Sequence, residues 1–400
     1  MNRSIKKLIP VILAAVILYV LSATGFAADL GDPEGGIAGI ANKGLWTRYP
    51  ENSLEGILAA EETGIDYVLA DVSVTGDGKL VLMESASAKR MLGTEKENVS
   101  DYSLDELSSL PLKNRVGGNG NDATNYHICT LAEALAAVKD AKLVLKFDAS
   151  LADKVAKETE NSLGTVFYIT GKTGDALWAA EKYGKEHAVL AEKKSNIIFS
   201  VTSFIKKMSD AGAKGAVLKT GNRYGVVFYK STIKKCGSLR AVADTSDYKT
   251  AGYREDAEKW WDDLVSRGYS AVITDDPEAF AEYRKQNDAA RERLQGLYEE
   301  VKKMNIPDFG ADVLSDYKKA YADAVNEAER LLGDKSSSLK EMRDCHTALT
   351  QAVKYIQLNF DEIENGTAGV TLTAPRIIIC VLAAAVVILV QVYFYKRRKS

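Results

Sequence analysis

Histidine and cysteine are scarce in this chain, which has 400 residues but only 3 histidines and 4 cysteines. No two cysteines form a Cys-x-x-Cys pair, so the usual spacing of a zinc site is missing. Cys129, Cys236 and Cys345 lie too far apart in sequence to define a disulfide framework, and whether any two of them pair stays open. The formal net charge of −3 gives no reason to expect nucleic acid as a partner.

The first residues have the pattern of an export signal. The segment "MNRSIKKLIPVILAAVILYVLSATGFAADL" begins with basic residues and continues with an apolar stretch. Small residues, Gly25 and Ala27, are placed for cleavage after Ala27. We therefore predict a signal peptide over residues 1–27. Because the apolar stretch is rather long, an uncleaved N-terminal anchor is the alternative.

A second apolar segment, "IIICVLAAAVVILVQVYFY", precedes the basic residues "KRRKS". A helix of this length, at ~1.5 Å per residue, would span roughly one hydrocarbon core. We predict a linker over 361–375, a transmembrane helix over 376–395 and a cytoplasmic tail over 396–400, since basic flanks mark the cytoplasmic side. The predicted localisation is the cell membrane, single-pass, with the bulk of the chain extracellular. A buried helix of a soluble domain is the alternative for the apolar segment.

Short β-rich runs alternate with helical stretches over residues 36–286. The candidate strands are "GIAGIA", "DYVLADV", "KLVLM", "KLVLKF", "TVFYI", "NIIFSV", "GAVLK", "LRAVA" and "SAVIT". Continuous apolar strands separated by amphipathic helices are typical of a parallel α/β architecture. About eight such units fit a (β/α)8 TIM barrel better than an open sheet, and functional residues then belong at the carboxyl ends of the strands.

The composition changes over residues 288–360, where strand-like runs stop. Apolar residues recur at helical spacing in "LQGLYEEVKKM", "LSDYKKAYADAVNEAERLLG" and "SLKEMRDCHTALTQAVKYIQL". Three such helices predict a small antiparallel bundle. The Tyr, Ala and Leu spacing and the polar break "DKSSS" resemble FIVAR-type modules of bacterial surface proteins. An unrelated helical bundle with the same role as a spacer is the alternative.

Five segments in the 36–286 region occur in an order and spacing that resemble the glycerophosphodiester phosphodiesterase family. They are "PENSLEG", "GIDYVLADVSVTGDGKLVLM", "DYSLDELSSL", "CTLAEAL" and "GYSAVITDDPE". Family members are (β/α)8 enzymes that use a divalent metal, Ca or Mg, to cleave glycerophosphodiesters. The resemblance therefore implies a TIM barrel of the phospholipase-C-like phosphodiesterase type and a role in lipid metabolism.

Both positions of the family's catalytic histidines hold other residues. The family's His-Arg-Gly reads Asn42-Lys43-Gly44 here, and its His-Asp reads Glu84-Ser85. The resemblance thus marks Asn42 and Glu84 as degenerate catalytic positions, and an amide cannot exchange protons usefully. The histidines that the chain does have, at positions 127, 187 and 346, match neither position.

The metal ligands implied by the resemblance are also incomplete. The family's Glu-x-Asp reads Leu69-Ala70-Asp71, and the glutamate of its Glu-x-Lys is replaced by Lys146. Asp71 alone is retained, whereas Leu69 and Lys146 stand at lost ligand positions. Because hard divalent cations need several oxygen ligands, we expect no metal cofactor. We predict instead that the Lys146 ammonium takes the cation's place beside Asp71; the alternative is that Lys146 points to solvent.

Three functions follow as hypotheses. The first is a membrane-anchored pseudoenzyme at the cell surface that binds glycerophosphoryl groups, wall polymers or carbohydrate through Lys43, Glu51 and Trp46. The second is an active phosphoric diester hydrolase with an altered site, in which Glu84 is the acid or base. Glu51 and Asp71 would then hold a weakened metal. The third is a structural block or a subunit of a membrane complex, with undefined protein partners.

Overall fold

The computed structural model describes residues 37–114, 122–162, 164–194, 197–219, 227, 229–245, 253–304, 315–334 and 337–364. The predicted signal peptide, transmembrane helix and basic tail lie outside these residues, as does most of the predicted linker. No helix within the described ranges is long and apolar enough to cross a membrane. The chain divides into two compact units between Asn287 and Asp288.

The first unit is built on parallel strands that alternate with helices. Its strands are β1 (Ala38–Asn42), β2 (Tyr67–Val74), β3 (Leu80–Leu82), β4 (Lys142–Asp148), β5 (Val166–Thr170), β6 (Ala188–Lys194), β7 (Gly215–Lys219), β8 (Arg240–Asp244) and β9 (Ala271–Thr274). Its helices are α1 (Leu54–Glu62), α2 (Ala88–Leu92), α3 (Leu104–Ser108), α4 (Leu131–Ala137), α5 (Ala152–Glu158), α6 (Thr173–Tyr183), α7 (Ile198–Asp210), α8 (Lys230–Ile233) and α9 (Tyr253–Arg267). Helix α10 (Pro277–Lys303) begins in this unit and continues into the second.

Eight of these strands close a barrel, which confirms the (β/α)8 prediction. Each of β1, β2, β4, β5, β6, β7, β8 and β9 pairs in parallel with the next, and β9 returns to β1. The predicted strand "KLVLM" corresponds to β3, which pairs antiparallel with β2 and lies outside the closed barrel. Polar side chains start several helices. For example, Ser53 caps α1 and accepts a hydrogen bond from the Gly56 amide.

One predicted strand is wrong. Residues 198–201 of the run "NIIFSV" form the start of helix α7, because buried residues continue at helical spacing through Val201, Phe204, Ile205 and Met208. The strand of this repeat is β6, which lies before the helix. Its buried part is Ala188 to Ala191, and its last three residues are charged, so its apolar signal is short. The β-branched residues of this run suggested a strand, whereas the spacing of the buried residues that follow is that of a helix.

The barrel interior is arranged in layers of four side chains from alternate strands, as in other TIM barrels. The strand register places these four-residue layers beneath the mouth: Ile40, Val144, Leu190 and Val242; then Leu69, Tyr168, Val217 and Ile273. The layers above them are polar: Asn42, Lys146, Glu192 and Asp244; then Asp71, Thr170, Lys219 and Asp275. Polar chemistry is therefore concentrated at the carboxyl ends of the strands.

The second unit is helical. It contains the later part of α10 with α11 (Ser315–Gly333) and α12 (Leu339–Glu364). Arg291 on α10 donates to the carbonyl oxygens of Leu331, Leu332 and Asp334 near the end of α11. The first predicted bundle helix is thus the continuation of the last barrel helix rather than a separate element. The resemblance to a FIVAR-type module stays a prediction.

Candidate functional site

The turn after β1 places the first site residues. Gly44 follows Lys43 with φ of 78°, and a Cβ at this position would lie 2.7 Å from the Gly56 backbone. A glycine is needed here because the turn packs directly on the start of α1, where the Leu45 amide donates to the Gly56 carbonyl oxygen. Lys43 itself has a left-handed backbone, with φ of 57°. The turn therefore aims the Lys43 side chain over the barrel mouth.

The Lys43 ammonium lies between three carboxylates. Its Nζ is 3.2 Å from Glu51 Oε1, 3.3 Å from Asp71 Oδ2 and 3.4 Å from Glu84 Oε2. Only 19% of the side chain is exposed. Burial opposes the charged form, but the three carboxylates outweigh it and raise the pKa of Lys43 above its ordinary value. We call Lys43, Glu51, Asp71 and Glu84 the ammonium cluster.

Asp71 is the most buried acid of this cluster, with 5% of the residue exposed. Its second oxygen, Oδ1, lies 3.5 Å from Lys146 Nζ. The Asn52 amide donates to Asp71 Oδ2 at 3.2 Å and accepts a hydrogen bond from the Asp71 backbone N–H at 2.9 Å. Burial alone would raise the pKa of Asp71, but Lys43, Lys146 and the Asn52 amide together lower it. Asp71 is therefore a buried carboxylate that two ammonium groups and one amide contact.

Arg90 is a site residue that the sequence did not reveal. It lies on α2 and forms two hydrogen bonds with Glu51, one of them from Nη1 to Oε2 at 2.9 Å. Its Nη2 is also 3.6 Å from Glu84 Oε2. Burial opposes ionisation of Glu51, but the bonds from Arg90 and Lys43 lower its pKa overall. No family motif quoted above contains Arg90, so only the packing of α2 against the mouth brings it here.

Asn42 and Trp46 lie on another side of the mouth and share one partner. Asn42 Nδ2 and Trp46 Nε1 both donate to Asp275 Oδ1, at 2.8 and 3.0 Å. Burial raises the pKa of Asp275, and these two hydrogen bonds offset the effect only in part. Asp275 belongs to the motif "GYSAVITDDPE", which could have identified it, but its contacts depend on the closure of β9 onto β1.

Two further polar pairs lie at the mouth. The Tyr168 hydroxyl donates to Glu192 Oε2 at 2.8 Å, and Lys219 Nζ lies 3.1 Å from Asp244 Oδ2. Burial, followed by the nearby acids, raises the pKa of Tyr168. Leu69 lies one layer lower with 1% of its surface exposed, packed in the apolar cluster of the barrel. It offers no ligand atom.

The donor set does not fit Ca or Mg. In the part of the chain that the structure describes, no three His, Cys, Asp or Glu side chains are arranged to hold a metal ion. The carboxylate oxygens of the ammonium cluster surround a nitrogen at 3.2–3.4 Å, whereas calcium needs oxygens at about 2.3–2.6 Å. Lys146 also brings a second positive charge to Asp71. The geometry is that of an ammonium ion.

The histidines lie elsewhere. His187 is buried before β6, at the amino ends of the barrel strands, and stacks on Phe167 with ring centres 4.0 Å apart. His127 Nδ1 lies 3.2 Å from the Leu110 carbonyl oxygen, and His346 lies on α12 in the second unit. The three buried cysteines, Cys129, Cys236 and Cys345, are free thiols.

The structure thus brings Lys43, Glu51, Asp71, Glu84 and Lys146 together and places Asn42 and Trp46 beside them. The distance from Lys146 to Asp71 is compatible with the predicted ion pair. However, the side chain that lies among the carboxylates is Lys43, for which the sequence suggested a phosphate contact. Both lysines lie at the barrel mouth, and Lys43 contacts three carboxylates whereas Lys146 contacts Asp71.

Comparison with known proteins gives a consistent assignment. The sequence model of the glycerophosphoryl diester phosphodiesterase family matches residues 43–279, more than half of the chain. A glycerophosphoryl diester phosphodiesterase from Parabacteroides distasonis is 21% identical, with 66% of this chain and 89% of that chain covered and a TM-score of 0.50. A phosphodiesterase from Oleispira antarctica, solved with the product sn-glycerol-3-phosphate, is 19% identical, with 62% and 96% covered and a TM-score of 0.49. At such identities the likeness concerns the fold alone. No match was found among curated proteins.

Proposed function

This chain belongs to the glycerophosphoryl diester phosphodiesterase family, and we propose that its barrel has lost metal-dependent hydrolysis and acts as a binding domain at the cell surface. The observation that carries the proposal is the position of the Lys43 ammonium within 3.4 Å of three carboxylates. A divalent ion at these carboxylates would have to displace Lys43 and approach Lys146 as well. Like charges a few ångströms apart in a poorly solvated cleft repel each other strongly.

The second reason to propose a loss of hydrolysis is that two positions lack suitable groups for proton transfer. Asn42 stands where the family has a histidine, and its amide donates to Asp275. Glu84 stands at the other histidine position and forms ion pairs with Lys43 and Arg90. A role as acid or base would require Glu84 to leave both cations. The Asn42 amide cannot exchange protons usefully, and the Glu84 carboxylate is engaged by two cations, so neither position offers the free acid or base that hydrolysis needs.

A binding role agrees with the cations that remain accessible. The side chains of Lys146 and Arg90 are 31% and 32% exposed at the mouth, whereas Lys43 is less exposed and faces the carboxylates. Lys146 and Arg90 are therefore better placed than Lys43 to contact an anionic group, and arginine suits phosphate through its planar fork. Glycerophosphoryl groups and polyol-phosphate wall polymers are ligands of this chemistry.

The experiment is a hydrolysis assay on glycerophosphodiesters with the purified full-length protein and added Ca or Mg. We expect no turnover above the background of a Glu51→Gln variant, which removes one charge from the ammonium cluster. Metal-dependent turnover that disappears in this variant would establish the alternative, an active hydrolase with an altered site. Binding of glycerophosphoryl compounds without turnover would support the proposal.

The cell-surface location rests on the patterns of residues 1–27 and 376–395 and has its own test. We expect protease added to intact cells to remove the barrel from a tagged full-length chain, because only residues 396–400 would lie inside. Protection of the barrel, with degradation only after lysis, would contradict this orientation.

A further inference from the structure

The ammonium cluster has a charge balance that selects a monovalent cation. Glu51, Asp71 and Glu84 contribute three negative charges, and Arg90 and Lys146 contribute two positive charges in contact with them. Without Lys43, these five side chains would carry one net negative charge. One monovalent cation neutralises it, whereas a divalent ion would leave an excess of positive charge in a partly buried site.

The distances between Lys43 Nζ and the carboxylate oxygens also favour a monovalent cation, specifically an ammonium ion. The three oxygens lie 3.2–3.4 Å from Nζ, which suits the N–H groups of an ammonium ion. A metal ion would require the carboxylates to move inward by roughly 1 Å to reach calcium–oxygen distances. Arg90 opposes this movement because it holds Glu51 through two hydrogen bonds.

Two backbone positions beside the ammonium cluster have left-handed conformations. Lys43 and Asn52 are the non-glycine residues with positive φ in the described part of the chain, at 57° and 59°. Both contact Asp71, Lys43 through its ammonium and Asn52 through its amide. Non-glycine residues keep such conformations where the surrounding structure holds them. The site is therefore preformed by more than the Lys43 side chain.

We propose that Glu51, Asp71 and Glu84 form a primary-amine site with Lys43 as its built-in occupant. Once the Lys43 side chain is removed, the site takes an alkylammonium ion from solution in preference to a divalent metal. The inference rests on the proposed function in one respect, since both hold that the cleft of the wild-type protein does not take Ca or Mg.

The experiment is chemical rescue of the full-length Lys43→Ala variant, followed by thermal unfolding. This substitution removes three methylene groups and the ammonium, which n-propylammonium supplies. We expect a lowered Tm that n-propylammonium chloride restores saturably, by mass action on the folded state. Neutral 1-propanol, tetramethylammonium and NaCl should restore none of it, because they lack the charge, the N–H donors or the shape.

Lys146→Ala is the matched control, because Lys146 contacts the other oxygen of Asp71 and its side chain is more exposed than that of Lys43. n-Propylammonium should raise the Tm of this variant less than that of Lys43→Ala, because Lys146 contacts one carboxylate and Lys43 contacts three. If Lys43→Ala does not fold, Lys43→Gly with n-butylammonium replaces it, since glycine adopts φ of 57° without strain.

The results separate the two proposals. Failure of both amines, or stabilisation of the Lys43 variants by Ca instead, would overturn the amine site and leave the proposed function standing. Stabilisation of the wild-type protein by sub-millimolar Ca would overturn the proposed function, whatever the amines do. Rescue by the amines with an unresponsive wild-type protein supports both.

Discussion

The inward-facing residues in the lower layers of the barrel differ in polarity from those at its mouth. Below the mouth, inward-facing residues such as Val144, Leu190 and Val242 are aliphatic and fully buried. At the mouth, the inward-facing positions carry amides, acids and lysines that pair with one another. Leu69 lies at the border, in the apolar layer directly below the mouth. The difference shows that the barrel is specified by its apolar layers, whereas its chemistry resides in side chains that can change without loss of the fold.

The largest expected effect comes from a carboxylate placed in the apolar layers. Leu69→Glu introduces the residue that the resemblance implies at this position and buries a carboxyl group among apolar neighbours, because Leu69 is 1% exposed. We expect a loss of about 5 kcal/mol in the free energy of unfolding, measured by denaturant titration. Leu69→Met, as the control, should cost less than about 1.5 kcal/mol. A small loss in the free energy of unfolding of Leu69→Glu would mean that the polar mouth extends one layer deeper into the barrel.

The second prediction concerns the ammonium cluster itself. Lys43→Met leaves Glu51 and Asp71 without their shared cation, and breaking a buried pair from one side costs roughly 3–5 kcal/mol. Asp71→Asn in the same chain should recover part of this loss, because the orphaned charge is then removed. A double-mutant cycle on unfolding measures the coupling. Additive effects would show that Lys43 and Asp71 do not interact.

The third prediction ranks the two lysines. Lys146 is 31% exposed and lies 3.5 Å from Asp71, so water screens its pair more than that of Lys43. We expect Lys146→Met to cost about 1 kcal/mol or less, because partly exposed ion pairs contribute little. The same unfolding experiment gives the comparison. A loss equal to or larger than that of Lys43→Met would make Lys146 the principal counter-charge, as the sequence alone suggested.

The smallest effect is a dependence on pH at the other side of the mouth. Burial raises the folded-state pKa of Asp275 above its ordinary value of 3.8. Its contribution to stability is therefore present below pH 3.8 and is lost as pH rises through the folded-state pKa. Nearby Asp244 adds to the shift and Lys43 opposes it.

Asp275→Asn keeps an acceptor for Asn42 and Trp46 but cannot ionise. We expect the variant to be slightly more stable than the wild-type protein at neutral pH, with the advantage shrinking as the solution is acidified. Tm measured across pH checks this. A difference that stays constant with pH would show that Asp275 is not the titrating group.

The sequence predicted the barrel because its strands are continuous apolar runs and its helices are amphipathic. It failed at "NIIFSV", where β-branched residues suggested a strand but the buried positions of α7 follow a helical period. It also counted β3 among the barrel strands. The pairing partner of β3 is the preceding strand β2, and the five residues "TGDGK" between Val74 and Leu80 are too few for a parallel crossover, so the antiparallel pairing was signalled by this short turn and was overlooked.

The site could be predicted in its positions but not in its contacts. The structure brings the motif residues Lys43, Asp71 and Lys146 together at the barrel mouth. The motifs did not show that the left-handed backbone of Lys43 turns its ammonium toward three carboxylates. Arg90 could not be found at all, since a short helix outside the motifs carries it. These contacts depend on side-chain direction, which strand patterns do not encode.

Calorimetric titration of the wild-type, full-length protein with Ca and Mg shows whether the cleft takes a divalent ion. Because the Lys43 ammonium lies among the carboxylates of this cleft, we expect no saturable heat at sub-millimolar concentrations of either ion. The same titration with Glu51→Gln gives the baseline for weak binding elsewhere on the surface. Saturable binding by the wild-type protein that is lost in Glu51→Gln would show that the cleft binds a divalent metal despite Lys43. The barrel would then be interpreted as a metal-dependent enzyme.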